Sequence, residues 1–287
     1  MSTCLRNTVI AILLCAISAP APAETPLVVM TFNIRYGTAT DKENAWPQRK
    51  ELVAAAIGQY DPDIVGTQEC LDFQAEYLIE ELPQYRWFGV GREADCGGEH
   101  MAVLYKKDTL APIESGNFWL SDTPETPGTS SWNSACNRMV TWAKFYHLQT
   151  KAFFYCFNTH LDHQSEPARQ GGARVLLSKL SSLATETPII VTGDFNARAE
   201  RSETYTILTE GGLIDTWNAA ADRAGPVTTW SGFEAPEEGS NRRIDWILVR
   251  GPIAVLRCET VTFHRDGRYP SDHFPVVVKL TLGQAVP

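Results

Sequence analysis

Basic residues are in short supply: Lys and Arg number 25 against 34 Asp and Glu, a formal charge of −9 over 287 residues. That balance argues against a broad electropositive face for wrapping a nucleic-acid backbone, yet leaves room for a site that holds one phosphate through its own divalent cation. Long apolar runs are equally scarce. The segment Thr8 to Ala19, behind Arg6 and ahead of Ala21-Pro22-Ala23, reads as a secretory signal peptide over residues 1–23, with the mature chain starting near Glu24. Cys15 follows Leu14, where lipid attachment would want a small residue, so a released protein, secreted or periplasmic, is expected. No second run is long enough to span a bilayer. With Cys4 and Cys15 in the leader, Cys70, Cys96, Cys136, Cys156 and Cys258 remain. They are odd in number, match no zinc-ribbon or finger spacing, and leave their pairing open.

Several catalytic anchors are absent as well: there is no Gly-x-Ser-x-Gly elbow, no Gly-x-x-x-x-Gly-Lys loop and no His-Glu-x-x-His helix. What is present is a series of short apolar strands that end in polar side chains. Ile189 to Thr192 is too short for a helix and right for a buried strand, and Gly193 lets the backbone turn so that Asp194 and Asn196 project from its end. Leu27 to Phe32 ends likewise at Asn33, and Asp63 to Thr67 at Gln68-Glu69. Helical patterns fill Glu43 to Tyr60, Phe73 to Leu82, Ser165 to Leu183 and Glu203 to Thr209. Extended segments cover Arg86 to Val90, His100 to Lys106, Ile113 to Leu120, Arg138 to Leu148 and Ala152 to His160, with no helix between them, which predicts antiparallel pairing. Phe153, Tyr155 and Phe157 alternate with Phe154, Cys156 and Asn158, so both faces of that strand are expected to be buried. Arg243 to Val249, Val255 to Phe263 and Phe274 to Leu282 complete the set. No interdomain linker is evident, and residues 24–287 read as one domain.

Polar groups thus sit at strand ends at Asn33, Glu69, His160, Asp194, Asn196, Asp245, Asp272 and His273. Singly, each is better explained as a turn, a cap or a solvated rim. Two stacked sheets with converging strand ends would gather them around one cleft rich in hard oxygen ligands. The ordered blocks Thr31-Phe32-Asn33, Gln68-Glu69, Asn158-Thr159-His160-Leu161, Gly193-Asp194-Phe195-Asn196, Arg243-Ile244-Asp245-Trp246-Ile247 and Ser271-Asp272-His273-Phe274-Pro275 resemble the endonuclease/exonuclease/phosphatase superfamily, the DNase I-like fold. The likeness runs from Val28 to Leu282. Within it, Asn33-Ile34-Arg35-Tyr36-Gly37 with Glu43-Asn44-x-Trp46, and Phe118-Trp119-Leu120-Ser121 with Pro124, resemble an often exported branch.

The resemblance implies a four-layer α/β/β/α sandwich of two packed mixed sheets flanked by helices. It implies Glu69 as the main carboxylate ligand of Mg²⁺ or Mn²⁺, with Asn33 and Asp272 beside it. Asp194 would take the proton of the attacking water or hold that water in line. Asn196 would donate to a phosphoryl oxygen, His160 and His273 would contact the phosphate, and Asp245 would orient His273 and favour its charged form. Arg35 stands where DNA-repair members carry an acidic residue, which puts a second metal in doubt, and Arg35 and Arg138 are candidate phosphate contacts. His160-x-x-His163 as a zinc pair is the weaker reading, and Tyr105, inside an apolar strand, is core by default. Trp119, Trp132 and Trp230 are candidates for an aromatic wall. The implied activity is a secreted, monomeric, metal-dependent phosphoesterase hydrolysing a phosphodiester or phosphomonoester of a small molecule, sugar or lipid head group. An extracellular nuclease taking DNA or RNA is the alternative, and a non-catalytic module that binds a phosphate-bearing ligand is a third reading.

Overall fold

In the computed structural model, which describes residues 25–283, the run Leu27–Asn33 forms strand β1, followed by helix α1 (Trp46–Tyr60), β2 (Ile64–Gln68) and α2 (Asp72–Glu81). Strands β3 (Tyr85–Phe88), β4 (Val103–Lys106), β5 (Leu110–Trp119), β6 (Met139–His147) and β7 (Phe153–His160) come next, without an intervening helix. Then come α3 (Glu166–Leu180), β8 (Ile189–Asp194), α4 (Glu203–Glu210), β9 (Ile214–Asp215), α5 (Thr216–Ala219) and β10 (Asp222–Ala224). Strands β11 (Asp245–Arg250), β12 (Ile253–Thr260) and β13 (Val276–Leu282) close the chain. The signal-peptide segment lies outside the described residues. Within them, no helix is long and apolar enough to cross a membrane.

The strands form two mixed sheets, ordered β10-β12-β13-β1-β2-β4-β3 and β5-β6-β7-β8-β11-β9. Alternation along each strand sorts the core into layers. Val29, Ile64, Phe145, Phe154, Ile190, Ile247 and Val278 meet between the sheets. Met30, Phe32 and Val65 face the opposite way, onto Val53 and Ile57 of α1 and Ala75 and Leu78 of α2. Phe157, Ile189, Val191 and Leu248 face Ala173, Leu176 and Leu180 of α3 and Leu208 of α4. This is the expected four-layer sandwich. Pro47 opens α1, Ser165 caps α3 through its hydroxyl and Ser202 caps α4.

Two features depart from the sequence expectation. Phe153 is 49 % exposed and Tyr155 only half-buried, although Tyr155 packs against the cluster that α3 joins, so the outer face of β7 is not covered along its whole length. The short β9, α5 and β10 occupy a stretch where two- and three-residue strands carry no periodicity to read. All five cysteines of the described residues are free thiols, with Cys70, Cys156 and Cys258 buried.

Candidate active site

The space between the sheets changes character along the strands. In β1 the inward residues run Val29, Thr31, Asn33; in β8, Ile190, Thr192, Asp194; in β11, from its other end, Val249, Ile247, Asp245. An apolar layer thus gives way to amides and hydroxyls, and then to ionisable groups. The middle layer pins the sheets together: the Gln68 side-chain amide donates to Asn158 Oδ1 (2.7 Å) and Thr31 Oγ1 (3.1 Å), and Asn158 Nδ2 donates to the Thr67 carbonyl (2.8 Å). Only glycine fits at position 66, where a Cβ would lie 2.6 Å from Asn158 Oδ1. Gln68 and Asn158, both in family-like blocks, are therefore scaffold for the site.

Register then sets the ionisable layer. His160 and Asp245 pair with Asp194 from either side across β7, β8 and β11. Asp194 is 1 % exposed; its Oδ1 accepts from Asn196 N (2.9 Å) and its Oδ2 from Asn33 Nδ2 (3.0 Å). Burial first, and the facing Asp245 second, push its carboxyl up to about 7. His273 Nδ1 lies 2.9 Å and 3.1 Å from the two Asp245 oxygens, and its Nε2 lies 3.8 Å from Asp194 Oδ2. Burial works against charge on His273, but Asp245 and Asp194 outweigh it and hold its pKa well above the usual imidazole range. Asp194, Asp245 and His273 lie close enough to share an ion. The hydrogen bond from His273 to Asp245 and the raised pKa of the ring also make them a charge-coupled triad.

His160 is equally deep and opposite in character. Burial, then Arg138 and Arg92, hold it well below the usual range, so its ring is neutral. Asn196 Nδ2 lies 2.9 Å from His160 Nε2 and donates to the Leu161 carbonyl (3.0 Å), while His160 Nδ1 is buried without a partner. The Leu161 carbonyl fixes the amide orientation, because a flipped Asn196 would face oxygen to oxygen. Asn196 thus sits at the cleft with its amide nitrogen held by the Leu161 carbonyl and set against the His160 ring, which it steadies.

At the other end of the cleft, Glu69 Oε1 accepts from Asn33 Nδ2 (3.1 Å) and Oε2 from Tyr36 N (2.8 Å). Asn33 bridges Glu69 to Asp194, and its Oδ1 takes the Arg35 N–H (3.0 Å). Burial raises the Glu69 pKa, but His273, Asn33 and Tyr36 outweigh it and leave the carboxyl below its usual range. Asp272 is held above that range by burial and, against the pull of His273, by Glu69. Two crowded carboxylates beside an amide are hard oxygen donors short of positive charge, and that donor set fits Mg²⁺ or Mn²⁺. Arg35 supplies part of the deficit: it is bidentate to Asp41 (2.9 Å each) and lies 3.6 Å from Asp272 Oδ2. Arg35, Glu69 and Asn196 all have positive φ (60°, 57° and 48°), each just past a strand end. Left-handed non-glycine residues store roughly 1 kcal/mol or more apiece, which fits side chains aimed by function.

Arg49 of α1 went unseen in the sequence. It is 1 % exposed, has no carboxylate partner, and donates to the carbonyls of Ile34, Arg35 (2.8 Å), Asn44 (2.9 Å) and Pro270 (3.1 Å). One guanidinium thereby ties the loop after Asn33 to the loop carrying Asp272. Its only sequence signal is a charge on the buried side of an amphipathic helix.

A cleft of about 500 Å³ joins both ends; besides the groups above, Arg92, Glu99, Cys136, Arg138, His163, Trp230 and Arg242 line it. The family model described as the endonuclease/exonuclease/phosphatase family matches residues 30–273. The chain belongs to this family. A family member from Bacteroides thetaiotaomicron superposes with a TM-score of 0.85 at 34 % identity, over 91 % of this chain and 99 % of that one. The mannosyl-6-phosphatase of the same organism gives 0.83 at 34 % identity, over 89 % and 100 %. The human Nocturnin catalytic domain with bound sulfate, at 21 % identity and a TM-score of 0.68 over 90 % and 94 %, shares the fold. Among curated sequences, an uncharacterised mimivirus protein is 27 % identical over 184 residues, and the chain covers 66 % of that protein's length.

As a member of the endonuclease/exonuclease/phosphatase family, the chain brings Glu69, His160, Asp194, Asn196, Asp272 and His273 to the lining of one cleft, with Asn33 and Asp245 buried behind them and hydrogen-bonded to that lining. His160 and His163 do not form a zinc pair: His160 faces Asn196, whereas His163 Nδ1 meets Arg138 Nη2 at 3.1 Å. Of the three tryptophans only Trp230 lines the cleft, with the Arg242 guanidinium 3.6 Å above its ring. Trp119 is buried with Met101 and Met139, and Trp132 packs on Gly171 of α3. Tyr105 is core, packed on Phe145.

Proposed function

We propose that this family member is an exported, divalent-metal-dependent phosphoesterase that hydrolyses a small phosphate ester, with sugar phosphates foremost, by in-line attack of water. One observation carries the reading: Asp194, the candidate base, is joined through a single Asn33 amide to Glu69, the candidate metal ligand, and faces a charged His273. Base, cation site and phosphate-facing charge are thereby held in one rigid unit, which is the arrangement that phosphoryl transfer needs in place of a protein nucleophile. When bound, a divalent cation held by Glu69 and Asp272 beside Asn33 supplies charge neutralisation at the phosphoryl oxygens.

The chain's own groups do the rest. Asp194 accepts the water proton once ionised. His273, kept charged by Asp245, faces the negative charge that develops on the phosphoryl oxygens. His160, neutral and steadied by Asn196, offers a buried ring nitrogen without a partner. The modest cleft and the net negative charge favour a small substrate over a polymer, and the mannosyl-6-phosphatase likeness and the Trp230–Arg242 wall support a sugar. The leader-like sequence before Glu24 supports export.

The test is a panel of mannose 6-phosphate, p-nitrophenyl phosphate, aryl diesters, phospholipids, plasmid DNA and RNA, with Mg²⁺ or EDTA. Small esters should turn over, EDTA should abolish the rate, and Asp194→Asn should lower kcat by about 10³-fold. Full activity in EDTA would sink the mechanism, and preferential plasmid or RNA cleavage would replace the small-ester reading with the nuclease one.

A further inference from the structure

Arg138, at the entrance to β6, is 5 % exposed, yet its Nε and Nη1 have no hydrogen-bond partner. Among the described residues its hydrogen-bond partner is His163, through Nη2. The nearest carboxylate, Asp162, lies 4.0 Å from Nε. That carboxylate is already committed to Ser134 Oγ and to the backbone N–H groups of Ala135, Gln164 and Ser165. The neighbouring cleft arginines are satisfied differently: Arg92 pairs with Glu99 at 2.7 Å, Arg35 with Asp41, and Arg242 lies on Trp230. A guanidinium buried with two donor nitrogens, and so three N–H groups, unspent is costly unless an anion completes it. The protein supplies none, and Arg138 lines the same cleft as His160 and Asp194.

The identity of that anion follows from the charge count at the reacting centre. A phosphodiester has one negative charge and two non-bridging oxygens, which His273 and a cation at Glu69 and Asp272 can receive. A phosphomonoester has a third such oxygen and, with a second pKa near 6, close to two charges at neutral pH. We propose that Arg138, steadied by His163, is the specificity residue that receives this additional anionic oxygen and makes phosphomonoesters the preferred substrates. This deepens the phosphoesterase reading and rests on it.

Two substrates with one leaving group isolate the effect: p-nitrophenyl phosphate, and methyl p-nitrophenyl phosphate, in which a methyl caps the oxygen in question. The unsubstituted protein should favour the monoester. Arg138→Gln should lower kcat/KM by about 100-fold on the monoester and about 5-fold on the methyl ester, moving the ratio about 20-fold toward the diester. Arg138→Lys, which keeps the charge without the fork, should fall between. His163→Ala, at an exposed ring, should move the ratio a few-fold the same way, and serves if Arg138→Gln melts early in thermal unfolding. An unchanged ratio in folded Arg138→Gln and His163→Ala overturns the assignment while leaving the phosphoesterase intact. Failure of the unsubstituted protein to hydrolyse either ester with Mg²⁺ overturns the parent reading.

Discussion

His160 and His273 sit at almost the same depth, 3 % and 5 % exposed, on either side of Asp194, and the fold drives them to opposite charge states. Around His273 the neighbours are carboxylates, with Asp245 on Nδ1 and Asp194 and Asp272 close by. Around His160 they are the Asn196 amide at 2.9 Å and the shared Asp194 carboxylate at 3.3 Å, both on Nε2. Among the described residues no second carboxylate like Asp245 joins them, and Arg138 and Arg92 oppose a charge on the ring. Desolvation alone would neutralise both rings, so the contrast shows that the charge of a buried histidine is chosen by what the adjoining strands bring to it. On the proposed function, a cation is kept where phosphate charge would be met, and a neutral ring where arginine would already supply it.

The largest way to break the contrast is Asp245→Asn. It keeps an oxygen near Nδ1 but removes the charge that sustains the imidazolium, so His273 should become a neutral ring like His160. Steady-state kinetics should show kcat lower by about 10²–10³-fold with little change in thermal midpoint. A loss below about 3-fold would mean that His273 works uncharged. A smaller effect sharpens the same comparison through Asp194, whose pKa is raised to about 7. The working base is the deprotonated form, so kcat/KM should fall about tenfold per pH unit below 7 and level off above it. A flat profile from pH 5 to 8 would place the base elsewhere.

Much of this was readable from the sequence, because a short apolar run that stops at a polar residue specifies both a strand and a side chain at its end. Asn33 and Asp194 were found in that way, whereas Gly193, expected to turn the chain, lies inside β8, where a Cβ would meet the Thr159 carbonyl at 2.7 Å. The groups that tune the site were not readable. Arg49 acts through carbonyls 5 to 221 positions away, a pattern no spacing encodes. Arg92, Glu99 and Arg242 come from irregular segments whose position depends on both sheets being assembled. Asn196 was a candidate from the sequence, but the hold of the Leu161 carbonyl on its amide is visible only in the fold. Arg138 was recognisable as a candidate, whereas its lack of partners is a property of the packed fold alone.

The most direct measurement is the protonation of the two imidazoles, followed by nitrogen-15 NMR of the ring nitrogens from pH 5 to 9, with and without Mg²⁺, using His160→Gln and His273→Gln for assignment. His273 should carry protons on both nitrogens at pH 7.5, and His160 should remain a single neutral tautomer down to pH 5. Two rings titrating together near 6.5, as exposed histidines do, would contradict the account.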